Sequence, residues 1–174
     1  NASMPGCWQS AAAADLRGPL CAAIEPLASH RDAIVELSSW FEQEWPEWYG
    51  PAGRASARDD LCAYAAGGPG LPFGVVALLG DEVCGVAALR AESIASHRHL
   101  APWATALLVK TSRRRRGIGS LLVEALEREA KARRFAEIHC ATASAESLLL
   151  RRNWLLHERI ALDLLHAAHA DHLR

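Results

Sequence analysis

Apolar and polar positions change their rhythm several times along this chain, and each change marks an element. "LCAAIEPLA" (Leu20 to Ala28) is a short apolar run expected to form a strand. From Ser29 or His30 the spacing of Ala33, Ile34, Leu37, Trp40, Phe41 and Glu44 becomes helical, and Pro46 is expected to close that helix. "PEWYGPAGRAS" then reads as loop, and "ARDDLCAYAA" (Ala57 to Ala66) as a second short helix stopped by Gly67-Gly68-Pro69-Gly70.

Beyond that breaker the pattern switches to short continuous apolar runs. "PFGVVALL" (Pro72 to Leu79) and "VCGVAALRAE" (Val83 to Glu92), joined at Gly80-Asp81-Glu82, predict an antiparallel hairpin. "APWATALLV" (Ala101 to Val109) predicts a further strand. From Ile118 onward Leu121, Leu122, Ala125, Leu126 and Ala130 line one helical face, opposite Glu124, Glu127, Arg128 and Lys131. "FAEIHCATA" (Phe135 to Ala143) reads as a strand and "ESLLLRRN" (Glu146 to Asn153) as a short helix. "LLHERIALDLL" suits one or two strands. The order β-α-α-β-β-β-α-β-α-β is that of a mixed α/β domain built around one sheet.

Residues 20–174 are expected to form that single domain. Residues 1–19 read as a loose arm, with Asn1-Ala2-Ser3 ahead of Met4 resembling a cloning scar. A chain of 174 residues with 51% hydrophobic content can bury a proper core. Nineteen basic and twenty acidic side chains leave a net charge of −1, which argues against nucleic acid or an anionic membrane as partner. No apolar run approaches the roughly 20 residues of a membrane helix. Five scattered cysteines without a Cys-x-x-Cys pair speak against a disulfide framework or zinc ribbon and point to a reducing cytoplasm.

One stretch carries chemistry: "KTSRRRRGIGSLL" (Lys110 to Leu122), four arginines set against Gly-x-Gly where a strand hands over to a helix. Such a turn leaves several N–H groups without intrahelical partners at the positive end of the helix dipole, a site for phosphate. Gly117 and Gly119 let a bulky anion approach the backbone. A P-loop would need Gly-Lys-Ser/Thr where Gly119-Ser120-Leu121 stands, and a Rossmann fingerprint would need a third small residue at Leu122 and a place after the first strand. Both nucleotide readings are weak.

Arg114-Arg115-Arg116-Gly117-Ile118-Gly119 instead resembles the Arg/Gln-x-x-Gly-x-Gly/Ala signature of the GNAT superfamily of acyl-CoA-dependent N-acetyltransferases. The signature falls between the fourth strand and the third helix, as in that family, and "AESLLLRRNW" (Ala145 to Trp154) is similar to its later helix segment ending in Gly-Phe or Gly-Tyr. The resemblance spans roughly Leu20 to Ile160. It implies a GNAT-like fold, acetyl-CoA as co-substrate and no metal. Leu107, Leu108 and Val109 would offer backbone groups to the pantetheine arm and the acetyl carbonyl. Backbone N–H groups from Arg115 and Arg116 through Gly117, Ile118 and Gly119 to Ser120 would hold the pyrophosphate, the Ser120 hydroxyl adding a donor. Some of Arg113 to Arg116, Arg114 among them, would supply charge to the phosphates. Strands four and five would splay to admit the thioester.

The resemblance has one break: Leu149 falls where many members carry a tyrosine that protonates the departing thiolate, and leucine has no proton to donate. Ser144, Ser147, Cys140 or water are the substitutes at hand. A non-catalytic or regulatory acyl-CoA-binding domain is the alternative that this break opens.

On the acceptor side a primary amine must lose a proton before it attacks. Glu92 is the leading base, with His97 and His99 nearby in sequence. "WFEQEWPEWYG" offers Trp45, Trp48 and Tyr49 as aromatic faces and Glu44 and Glu47 as carboxylates, a combination that attracts cations. An aminoglycoside, a polyamine or a peptide amine would fit. The helical phase of the same stretch makes Trp40, Phe41 and Trp45 equally good core residues. His166, His169 and His172 lack a carboxylate or cysteine to complete a metal set. An exchangeable last strand leaves room for a homodimer.

Overall fold

A computed structural model of the chain describes residues 22–159. Five strands form one sheet in the order β1-β2-β3-β4-β5: β1 Ala23–Pro26, β2 Phe73–Leu79, β3 Glu82–Arg90, β4 Trp103–Val109 and β5 His139–Cys140. The first four pair antiparallel, and β5 joins β4 in parallel. The hairpin turns at Gly80, whose φ of 61° is the left-handed geometry that glycine adopts without penalty.

Five helices accompany the sheet: α1 Ile34–Glu44, α2 Pro46–Tyr49, α3 Ala57–Tyr64, α4 Ile118–Ala132 and α5 Glu146–Arg151. α1 is entered through a 3-10 turn, Arg31–Ala33, and buries Ile34, Leu37 and Phe41. Pro46 does end α1, but it also opens the extra turn α2 from its first position, where a missing N–H costs nothing. Residues 46–49, expected as loop, are therefore helical. α3 starts on Ser56, whose Oγ accepts the Asp59 N–H at 3.1 Å, with Asp59 and Asp60 at the positive end of the dipole.

Alternation along β2 and β3 explains why both read as unbroken apolar runs. Val76, Leu78, Val86 and Ala88 face α1 and α3, whereas Val75, Ala77, Ala87 and Leu89 face α4. With both faces covered, neither side tolerates a polar residue. α4 buries Ile118, Leu122, Val123, Ala125, Leu126 and Ala130, so the predicted stripe holds at Leu122, Ala125, Leu126 and Ala130, while Val123 joins it and Leu121 sits at its margin.

The fifth strand is much shorter than "FAEIHCATA" suggested. Only Trp103↔His139 and Ala104↔Cys140 pair, because β4 bends away immediately afterwards. Residues 154–159 carry no regular element. The rest of the expected last strand, the His-rich tail and the N-terminal arm lie outside the described residues. Among the described residues no helix is long and apolar enough to cross a membrane.

Candidate functional site: a splayed strand pair and an anion-binding turn

The bend in β4 has a local cause. Val86 pairs with Leu108 and Ala88 with Thr105, so Ala87 alone stands opposite Ala106 and Leu107. This two-against-one bulge releases backbone groups from the ladder and turns the strand. Ala106 carries it at φ 55°, a left-handed conformation that costs a residue with a Cβ about 1–2 kcal/mol. Thr105, Ala106 and Leu107 are half-buried where their neighbours Ala104 and Leu108 are buried. The break with β5 and the bulge together open a wedge along the second half of β4. Sequence reasoning places the acyl arm at Leu107 to Val109 and misses Ala106; an alanine in an apolar run gives no hint of a positive φ.

At the mouth of the wedge the chain makes a 3-10 turn, Thr111–Arg113, and enters α4. Arg115 and Gly117 both have positive φ, 62° and 82°, and Gly117 is the N-cap. Left-handed residues alternating in this way aim successive N–H groups at one point, and the first turn of α4 adds its own unpartnered donors. A Cβ built on Gly117 meets nothing within 4 Å, so the space above it is open to a ligand. Gly119 has a different duty: its Cβ would lie 3.3 Å from the side chain of Leu148, so it lets α5 pack against α4. A concavity of about 710 Å3 results, lined by Val109, Arg115, Ser120, Leu148, Arg151 and Arg152 among others. Its size suits a nucleotide-sized anion.

The four arginines divide into two pairs. Arg113 donates to Glu82 at 2.5 Å, and Glu82 also accepts from Lys110 at 3.0 Å. Those two cations hold the Glu82 carboxyl below its ordinary range. Arg114 donates through Nε to the Val109 carbonyl at 2.9 Å and through Nη2 to Glu44 at 2.7 Å. Arg115 and Arg116 are exposed and make no such pair among the described residues. The first pair braces the turn, and the second stands exposed beside the concavity.

Glu36, Trp40 and Glu44 recur every four residues along α1 and so share one stripe. That stripe docks on the basic turn: Lys110 reaches Glu36 at 3.4 Å and lies 5.5 Å from the centre of the Trp40 ring, while Arg114 takes Glu44. Glu44, expected at the acceptor side, is thus engaged on the side of the anion turn. Trp45 and Tyr49 pack beside Phe41, with ring centres 5.1 and 5.4 Å from it, in the same core that receives Ala106. The Tyr49 hydroxyl donates to Asp60 at 2.7 Å, and burial, with the Tyr64 and Asp60 charges, pushes its pKa far up. Trp48 lies edge-on to Tyr49 at 6.4 Å and is half-buried. These rings therefore form one contiguous aromatic group, with Trp45 and Tyr49 against the core and Trp48 beside Tyr49.

Glu92 lies two residues past the Arg90↔Trp103 pair, at the far end of β4 from the anion turn, with Arg98 at 3.9 Å. Ala106 is three residues along the strand from Trp103, about 10 Å. Leu149 is buried on α5 and lines a second cavity, about 420 Å3, shared with His97, Trp103 and Cys140. Burial pushes the Cys140 thiol up to about 12, so it stays protonated. Among the described residues no group of three or more His, Cys, Asp or Glu side chains is placed to hold a metal ion.

A strand pair that parts after two residues, a bulge in β4 and a glycine turn leading into α4 make up the candidate site. The family model described as "Acetyltransferase (GNAT) family" matches residues 35–150, and the chain belongs to that family of N-acetyltransferases. A comparison with curated proteins finds no match. Solved structures share the fold. AAC(6')-Iy bound to the bisubstrate analogue CoA-S-monomethyl-acetylneamine aligns with a TM-score of 0.59 at 14% identity, covering 80% of this chain and 95% of that one. A GCN5-related N-acetyltransferase from Ralstonia eutropha gives 0.57 at 23%, covering 80% and 96%. An aminoglycoside 6'-N-acetyltransferase complexed with coenzyme A gives 0.50 at 22%, over 64% of this chain and 56% of that one, so the present chain spans little more than half of that relative.

Proposed function

We propose that the protein transfers the acetyl group of acetyl-CoA to a primary amine on a cationic small molecule, with an aminoglycoside or a polyamine as the acceptor chemistry and a peptide amine as its extension. The observation that carries this reading is the bulge at Ala106, set in the wedge whose mouth is the Arg115–Ser120 turn. Pyrophosphate would rest on the N–H groups of Arg115 to Ser120, with Arg115 and Arg116 nearest its charge, and the pantetheine arm would run along Leu107 to Val109. The neutral amine attacks the thioester carbonyl, a released N–H at the bulge donates to the oxygen as it becomes an oxyanion, and the C–S bond breaks to give amide and CoA thiolate. The amine's proton leaves through water toward Glu92, since the length of β4 between them exceeds hydrogen-bond reach. The wall of Trp45, Trp48 and Tyr49 would meet the acceptor's body, and the acidic character of the first sixty residues, nine acidic against four basic, favours a cation. Two of the structural relatives are aminoglycoside N-acetyltransferases by name, in keeping with the same acceptor class.

Leu149 supports the second reading, a non-catalytic or regulatory acyl-CoA-binding domain, because it removes a proton donor from the thiolate's side. Thermal stabilisation by CoA, followed by free-thiol release from acetyl-CoA over a panel of aminoglycosides, polyamines and peptide amines, separates the two. Turnover on a cationic amine is the expected result. Stabilisation without turnover on any amine would establish the binding domain instead, and no stabilisation by CoA would end both readings.

A further inference from the structure

Arg152 stands just past α5 and ties the end of that helix to α4. Its Nε and Nη2 donate to the two oxygens of Glu127 at 3.2 and 2.6 Å, and its Nη1 donates to the Ser120 hydroxyl oxygen at 2.9 Å. Glu124 lies 3.8 Å from the same Nη1, and the Trp154 indole N–H donates to Glu127 at 2.7 Å. The guanidinium is therefore locked by a planar two-point contact with one carboxylate, and its charge is already answered. The left-handed Asn153, φ 63°, turns the chain after α5 so that both Arg152 and Trp154 reach Glu127.

A guanidinium can only donate. In its contact with Ser120 the serine oxygen is necessarily the acceptor, and the single hydroxyl hydrogen must point elsewhere. Among the described residues that hydroxyl has no acceptor of its own. Ser120 lies in the first turn of α4 and lines the anion concavity, so the hydrogen is left to a ligand.

We propose that Arg152 is a positioning residue for acyl-CoA: by occupying a lone pair of Ser120 it orients the serine O–H toward the pyrophosphate, without lending its own charge to the ligand. This rests on the acyl-CoA reading above. It accounts for a full-strength arginine–glutamate pair at the edge of a site that already has two uncommitted arginines.

The test is a double-mutant cycle on the CoA dissociation constant, using wild type, Arg152→Met, Ser120→Ala and the double variant, with CoA and 3′-dephospho-CoA as probes. Each single change should weaken both probes by about tenfold, the worth of one hydrogen bond to a charged group, and the double variant should be no weaker than either single one. Arg152→Lys, which keeps the charge but cannot hold Glu127 and Ser120 at once, should lose as much as Arg152→Met; it also serves if the methionine variant does not fold. Additive losses, rescue by lysine, or a loss confined to CoA would each overturn the proposal, because they mean direct phosphate contact or a charge role. Wild type that fails to bind CoA would overturn the acyl-CoA reading itself, whereas wild type that binds with no Arg152–Ser120 coupling defeats the positioning role alone.

Discussion

Glu44 on α1 accepts a 2.7 Å hydrogen bond from Nη2 of Arg114, whose Nε at the same time donates to the carbonyl that ends β4 at Val109. The helix that leads into the proposed acceptor wall is thereby fastened to the turn that would hold the phosphates. Both partners are partly exposed, 42% and 37%, so the pair itself adds only about 0.2–1 kcal/mol to stability.

Glu44→Gln should consequently change the melting temperature little. It leaves Arg114 with an unanswered charge beside the concavity, so CoA should bind more tightly at low ionic strength, by up to about fivefold, with the gain fading as salt is added. Calorimetry at two salt concentrations reads this directly. Weaker CoA binding would mean that Glu44 shapes the turn, and a large rise in KM for cationic amines alone would return it to the acceptor side.

The two glycines should fail in different ways. Gly117→Ala meets open space but must adopt φ 82°, so it should cost about 1–2 kcal/mol through backbone strain and weaken CoA binding as the turn relaxes. Gly119→Val pushes on Leu148 and should loosen α5, lowering both CoA affinity and the melting temperature. The 3.3 Å approach to Leu148 makes a bulky residue at 119 a disturbance of helix packing as well as of the turn. Equal melting temperatures for wild type and Gly119→Val would contradict this packing role.

Glu127 gives the fold a specific acid sensitivity. Burial would raise its pKa, but hydrogen bonds from Arg152 and Trp154 outweigh burial and hold it below its usual 4.5. A depressed carboxylate contributes stability that is fully present above the unfolded-state value and is lost as pH falls through the folded one. Urea unfolding between pH 6 and pH 3 should show wild type losing stability below about 4.5, and Glu127→Gln, already less stable at pH 6, losing less over the same interval. Parallel curves for the two proteins would rule this out.

Leu149 predicts the alkaline side of the rate profile. With no tyrosine to ionise near pH 10, and the Cys140 thiol held up to about 12, kcat should stay level from the point where the amine is neutral up to about pH 10. A falling limb between pH 8 and 10 would reveal a proton donor elsewhere in the site.

Elements whose signals lie within a few residues of one another are legible in the amino-acid order. The stripe of α4, the Gly80 hairpin and the glycine turn at 117–119 each follow from local periodicity or local φ. The short fifth strand is not legible, since "FAEIHCATA" has the composition of a full strand and only the departure of β4 limits it to His139 and Cys140. Nor is the helical turn at Pro46–Tyr49, where proline signals a stop and a start alike.

Local sequence is enough to set the family's outline: a mixed sheet, an amphipathic helix behind a glycine turn, and a cluster of unpartnered backbone N–H groups proposed to hold an anion. Packing in three dimensions settles which charges are free to serve that site. Lys110, Arg113, Arg114 and Arg152 find Glu36, Glu82, Glu44 and Glu127 from 25 to 74 residues away, leaving Arg115 and Arg116 uncommitted among the described residues. Periodicity and turn geometry are written in neighbouring residues, whereas a salt bridge or a bulge depends on which distant segment packing brings alongside.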